Sequence, residues 1–199
     1  MARKPGNKSI NSAWIFCEGK TEYNYFAQLK AVERISGLQL RPIICEDKNI
    51  VKLLEYSINY QKHHAKDFIK GDSIFYVFDR DANTNDDFKQ AEKIVNNLSQ
   101  LIISNPCFEY WILCHFELYY EPVNPQLLKL KLRKHMGTYK KNNPNIYNDT
   151  KNKIETAKKH SRKIHQMHIN KNDKILRTES NPFTLIFQLI ELTQQYRGN

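Results

Sequence analysis

The chain has 199 residues, of which 40% are hydrophobic and 12% aromatic. That composition suits one medium domain with its own core, or such a domain with a helical appendage. It excludes two full domains, and 10 Phe, 11 Tyr and 2 Trp are too many rings for a wholly disordered chain. No apolar run reaches the roughly 18 residues that a membrane-crossing helix needs.

Residues 1–12, MARKPGNKSINS, are basic but lack the apolar block of a secretion signal, and are expected to form a short flexible lead to a cytoplasmic protein. Ala13 to Cys17 (AWIFC) is a short apolar run that reads as a buried strand. Thr21 and Glu22 open a helix with Tyr25, Phe26, Leu29 and Val32 at helical spacing. Leu38 to Cys45 predicts a second strand, and Asn49 to about His64 a second helix carrying Ile50, Leu53, Leu54 and Ile58. Ser73 to Phe78 (SIFYVF) is the clearest buried strand, and it runs into Asp79-Arg80-Asp81. Asp86 to Leu98 predicts a polar helix and Leu101 to Ile103 a short fourth strand. Strands alternating with helices predict an α/β unit over residues 13–120, with a largely parallel four-stranded sheet.

Beyond this point no further strand is expected, and residues 121–199 read as a basic helical extension packed on the core. Asn105-Pro106 and Asn181-Pro182 each look like a helix start with Pro in the first turn. Asn124 to Met136 predicts a helix, Gly137 to Thr150 a polar loop, and Lys151 to Ile169 a basic helix. The cysteines at 17, 45, 107 and 114 form no C-x-x-C pair, so a disulfide framework and a zinc site are both disfavoured. They are expected to be small buried residues.

The net charge is +10, but its distribution says more than its sum. Between Lys129 and Arg177 there are 15 Lys or Arg against three acids, while the other 150 residues hold 16 basic and 18 acidic groups. A basic block carrying Tyr139, Tyr147, His160, His165 and His168 suits phosphates and stacked bases; a solvated helix face is the alternative.

Three acids follow strands: Glu18 after the first, Asp79 and Asp81 after the third. Neighbouring parallel strands bring such ends together, and an extended Asp-x-Asp points both carboxylates one way. Together they suit a hard cation, Mg²⁺ or Mn²⁺. A receiver-type phospho-accepting pocket is the competing reading; Ser104 fits it, but no lysine follows at a comparable place.

The motifs also carry a family resemblance. Glu18-Gly19-Lys20-Thr21-Glu22 with Tyr25-Phe26 resembles the E-G-x-T-E-x-x-Y-F opening of RloB-like proteins. Val77-Phe78-Asp79-Arg80-Asp81 is similar to their V-F-D-x-D segment. Ser104-Asn105-Pro106-Cys107-Phe108-Glu109, with Trp111 and His115-Phe116, resembles S-N-P-x-F-E-x-W…H-F, and Asn181-Pro182-x-Thr184 resembles the closing N-P-x-T. The four occur in order across roughly residues 14 to 187. The resemblance implies a Toprim-like Rossmannoid core, shared with type IA and II topoisomerases, bacterial primases and certain nucleases. It also implies that Glu18 is the Toprim glutamate, that Asp79 and Asp81 bind Mg²⁺ or Mn²⁺, and, by gene association, a role in phage defence.

The expected activity is metal-dependent phosphodiester cleavage of nucleic acid, with compact RNA such as tRNA ahead of DNA. Glu18 would be a ligand or the general base or acid. Glu22 is either a supporting group or a plain first-turn carboxylate. Glu109, among large apolar residues, is a further catalytic candidate, and His115 is either functional or a core histidine. Lys140 and Lys141 are expected to neutralise the scissile phosphate, with Lys20 as a second candidate. Lys151, Lys158, Lys159, Arg162 and Lys163 would position the nucleic-acid backbone. The alternative is a non-catalytic nucleic-acid-binding subunit that works with an ATPase partner. A homo-oligomer is compatible with either reading, and primase-like nucleotidyl transfer is the weakest.

Overall fold

The computed structural model describes residues 10–45, 49–95, 99–173 and 180–196. The expected lead over residues 1–12 falls outside the described residues up to residue 9, and its last residue, Ser12, already belongs to a strand. The first half alternates as the apolar runs predict: β1 Ser12–Cys17, α1 Lys20–Val32, β2 Gln39–Ile44, α2 Ile50–His63, β3 Ser73–Asp79, α3 Asn85–Ile94 and β4 Ser99–Asn105. Then follow α4 Glu109–Cys114, α5 Pro125–Met136, α6 Ile146–Thr150, α7 Ile154–Asn170, β5 Phe183–Thr184 and α8 Ile186–Gln195.

The sheet has five strands in the order β2-β1-β3-β4-β5. The first four are parallel and β5 is antiparallel to β4. All six residues of β1 are buried, as expected for a strand covered on both faces, whereas β2 lies at the edge and can carry Pro42. Alternation divides the rings between the two faces. Phe16 meets Tyr56 and Tyr60 of α2, and Phe78 meets Phe88 of α3. On α1, Tyr25 packs against Phe108 and against Trp111 of α4. The chain steps from β1 outward to β2 and then back across β1 to β3. The β1–β3 junction is therefore the topological switch point, where an open α/β sheet leaves a crevice beyond the carboxyl ends of its strands.

Local capping explains where the helices begin. The Asn49 side chain accepts the Val51 and Lys52 amides at the start of α2, and Thr84 with Asp87 forms a capping box on α3. Asn124 accepts the Leu127 amide, with Pro125 in the first turn of α5.

Three expectations change. The strands do not stop after the fourth, because Phe183–Thr184 from the C-terminal part pairs with Ser104–Asn105. Neither Asn-Pro site opens a helix directly: β4 runs through Asn105 and α4 starts at Glu109, while β5 intervenes before α8. Both prolines follow cis peptide bonds. The backbone groups around Asn105 serve other purposes, since the Arg80 and Asp81 amides donate to the Ser104 and Pro106 carbonyls. The Asn181 side chain bonds both backbone groups of Val123. The two Ser-Asn-Pro segments thus meet in space, with the Ser104 and Thr184 hydroxyls 2.8 Å apart.

The polar loop expected over Gly137 to Thr150 is instead a strap that is packed on α1 and contains α6. Asn142 exchanges hydrogen bonds with Thr21, its carbonyl accepts from Asn24, and the Tyr147 amide donates to Gln28. Tyr139, Ile146 and Tyr147 are buried. Polar sequence hid a segment whose few large residues all point inward.

One buried carboxylate fastens the start of the sheet. Asp72 accepts the Ser12 amide at 2.7 Å, the Trp14 indole N–H at 2.8 Å and the Ile69 amide at 3.2 Å. Asp72→Ala leaves buried donors without an acceptor and is expected to lower stability by about 3 kcal/mol in urea unfolding at neutral pH, and Asp72→Asn by less. Wild-type stability in the Asp72→Ala protein would refute this role.

Candidate active site

The switch point gathers the acids. Glu18 directly follows β1, and the β1–β3 register that pairs Cys17 with Val77 sets it beside the end of β3. Its amide donates to the Val77 carbonyl, and its Oε2 accepts the Asp79 amide at 2.9 Å. Asp79, the last residue of β3, in turn accepts the Phe108 amide at its Oδ1 at 2.8 Å. Glu109, the first residue of α4 and only 3% exposed, accepts from the Tyr139 hydroxyl at 3.1 Å. Gly19 separates β1 from α1. A Cβ built on it would lie 2.8 Å from Glu22 Oε2, so the glycine makes room for that carboxylate to fold back.

A cavity of about 110 Å³ is lined by Glu18, Asp79, Asp81 and Glu109, by Ala82 and Cys107, and by Pro125, Lys129 and Lys141. The tightest group is not the expected Glu18, Asp79 and Asp81. Ligand atoms of Asp79, Cys107 and Glu109 lie within 4.8 Å of one another. Glu18 has its Oε2 on the Asp79 amide instead. Asp81 does not share a strand face with Asp79, because β3 ends at Asp79 and the chain turns; the exposed Asp81 reaches the cavity from that turn. Arg80, between them, faces away. Its guanidinium reaches Asn85 Oδ1 and the Asn83 carbonyl and lies over the Phe88 ring.

The electrostatics show concentrated negative charge. Burial pushes Glu18 up to about 8, with Glu22 and Asp81 adding to the rise against the Asp79 amide and Lys141. Burial also raises Glu22 to about 7, with Glu109 adding to it against its own backbone amide and Lys141. Asp79 is raised well above the carboxylate range by burial and then by Glu22, Glu18, Glu109 and Asp81. The Cys107 thiol is pushed far up by burial, Glu109 and Asp79. Burial lowers Lys141, but Glu109, Asp79 and Glu22 outweigh it and hold the ammonium above its ordinary value. Several acids facing two lysines leave a deficit of positive charge, and their donors are mainly carboxylate oxygens. This set fits a divalent cation.

Among the expected residues, Lys141 lines the cavity. Lys140 and Lys20 are exposed and do not. Lys159 and Lys163 are exposed on α7 and Lys151 is half-buried. Lys158 corrects the expectation: it lies on the inner face of α7, 7% exposed, with its ammonium on Glu155 and Gln194. Its spacing with Ile154, Ala157 and Ser161 carries that signal. Arg162 pairs with Glu191 at 2.6 Å. His115 is a core residue. Its Nδ1 lies 3.0 Å from the Trp111 carbonyl, and burial pushes it down to about 4.

The sequence reading missed Lys129 and the part played by Cys107. Lys129 stands four residues after Pro125, so one side of α5 presents both to the cavity. Cys107 stands two residues before Glu109 in the Ser-Asn-Pro-Cys-Phe-Glu run.

A carboxyl whose value is higher in the folded than in the unfolded chain stabilises fully below its ordinary value of 4.5, and that contribution is lost as pH rises toward about 8. Without added metal, Glu18→Gln is therefore expected to gain in melting temperature relative to wild type as pH is raised across that window. A difference that does not change with pH in thermal melts would contradict the assignment.

A family model of RloB-like proteins matches residues 13–192. No curated protein and no solved structure gives a match. The matched span includes every acid of the cavity and both lysines that line it, and the chain belongs to the RloB-like protein family.

Proposed function

We propose that the protein is a Toprim-type, divalent-metal-dependent nuclease of a phage-defence system, acting on compact RNA such as tRNA ahead of DNA. The observation that carries this reading is the convergence of Glu18, Asp79, Asp81 and Glu109 on one cavity at the sheet's switch point, with Lys129 and Lys141 on its wall. Mg²⁺ or Mn²⁺ would be held by Asp79 and Glu109, with Asp81 at the exposed side. When bound, such an ion supplies charge stabilisation for the phosphoryl oxygens and a more acidic water.

The chain's own groups supply the remainder. Glu18, raised to about 8, is held largely in its acid form near neutral pH and would donate a proton to the leaving oxygen. Lys141, which lines the cavity where Lys140 does not, would neutralise the scissile phosphate. Lys20, Lys140, Lys159 and Lys163 are left to attract and position the phosphate backbone. That exposed basic surface also supports the second reading, a binding subunit acting with an ATPase partner, because such contacts need no metal.

The test is incubation of the purified protein with total tRNA, and separately with plasmid, in Mg²⁺, Mn²⁺ or EDTA. Discrete fragments are expected that vanish with EDTA and with Asp79→Ala, and Glu18→Gln should slow cleavage by about 10²–10⁴-fold while the fold is kept. Cleavage unchanged in Asp79→Ala would sink the nuclease reading. Salt-sensitive binding with no product under any ion would favour the binding subunit.

A further inference from the structure

The atoms best placed to share a cation include a sulfur. Asp79 and Glu109 each have one oxygen engaged by a protein donor, the Phe108 amide and the Tyr139 hydroxyl. These bonds fix the two carboxylates about the Cys107 thiol, all within 4.8 Å. Cys107 is 4% exposed and lines the same cavity. Cys17, Cys45 and Cys114 are buried too, but among the described residues only Cys107 has its sulfur grouped with two carboxylates. Cys107 sits between two acids that converge with Glu18 on one small cavity.

Hard Mg²⁺ demands near-octahedral oxygen ligands and keeps its water, and Mn²⁺ also favours oxygen, whereas borderline-soft Zn²⁺ accepts a mixed oxygen and sulfur set. We propose that Cys107 is a direct ligand of the cation held by Asp79 and Glu109, so that the site takes a thiolate-accepting ion such as Zn²⁺ in preference to Mg²⁺ or Mn²⁺. This rests on the reading that these carboxylates hold a divalent ion, and it goes further by assigning the ion's class and a third ligand. On binding, the thiol releases its proton to solvent and contributes as thiolate a soft donor that an oxygen-only site lacks, and serine at the same place would restore the hard set.

The experiment is a Cd²⁺ titration of the full-length protein, read by ultraviolet absorption of the thiolate-to-metal band, beside calorimetric Kd values for Zn²⁺ and Mg²⁺. Wild type and Cys107→Ser are compared. The band is expected in wild type and absent in Cys107→Ser. That variant should lose at least about tenfold in Zn²⁺ affinity, so that its ratio of Zn²⁺ to Mg²⁺ affinity falls. A band that persists in Cys107→Ser, or an unchanged ratio of Zn²⁺ to Mg²⁺ affinity, overturns the proposal. Should the variant fail to fold, X-ray absorption of Zn²⁺-loaded wild type decides: a sulfur neighbour at about 2.3 Å supports it, and an oxygen-only shell at about 2.0–2.2 Å overturns it. Binding without sulfur defeats this proposal alone. Absence of binding by any of the ions defeats the metal reading as well.

Discussion

Asp79 is tied at both ends. Its amide donates to the Glu18 carboxylate and its own carboxylate accepts the Phe108 amide, so one residue joins the end of β1, the end of β3 and the approach to α4. The parallel β1–β3 register makes the first link possible, and the pairing of β3 with β4 brings the Phe108 segment within reach of the second. Everything else in the cavity is arranged around this point. Glu109 follows Phe108 by one residue, Cys107 precedes it by one, and the β3–α3 turn that carries Asp81 is bonded back to Pro106.

Such an arrangement works against its own stability. Glu18, Glu22 and Asp79 are all displaced upward, each first by burial and then by one another or by Asp81 and Glu109. A fold selected for stability alone would place apolar groups there, as it does throughout β1 and β3. Acids held close against their mutual repulsion and shifted in this way are what functional sites concentrate. The surrounding structure is correspondingly firm. The ring cluster of Tyr25, Phe108, Trp111 and Tyr147 backs the acids, and Asp72 anchors the opposite end of β1.

Much of the α/β half was legible because β1 and β3 are short apolar runs ending in acids, and because Asn49 and Asn124 stand at helix starts. The places where reading failed share a physical reason: their structure depends on partners distant in the chain. Phe183–Thr184 is too short to announce itself as a strand and gains its conformation from Ser104–Asn105. The strap from Gly137 to Thr150 looks polar because its order comes from Thr21, Asn24 and Gln28. In the site, Glu18, Asp79, Asp81 and Glu109 could be singled out, whereas choosing Lys141 over Lys140, or finding Lys129, required knowing which side of α5 and of the strap meets the acids.

The strap has a consequence for how the protein is made. Residues 18, 79, 81 and 109 leave the ribosome before Lys129, Tyr139 and Lys141, and the contact between Thr21 and Asn142 spans 121 residues. Long-range closures of this kind form late. A nascent chain therefore carries its cluster of acids without the lysines that offset it, and the sheet's last strand arrives later still. In the growing polypeptide, residues 18, 79, 81 and 109 thus exist before the segment whose Lys129 and Lys141 face them across the finished cavity.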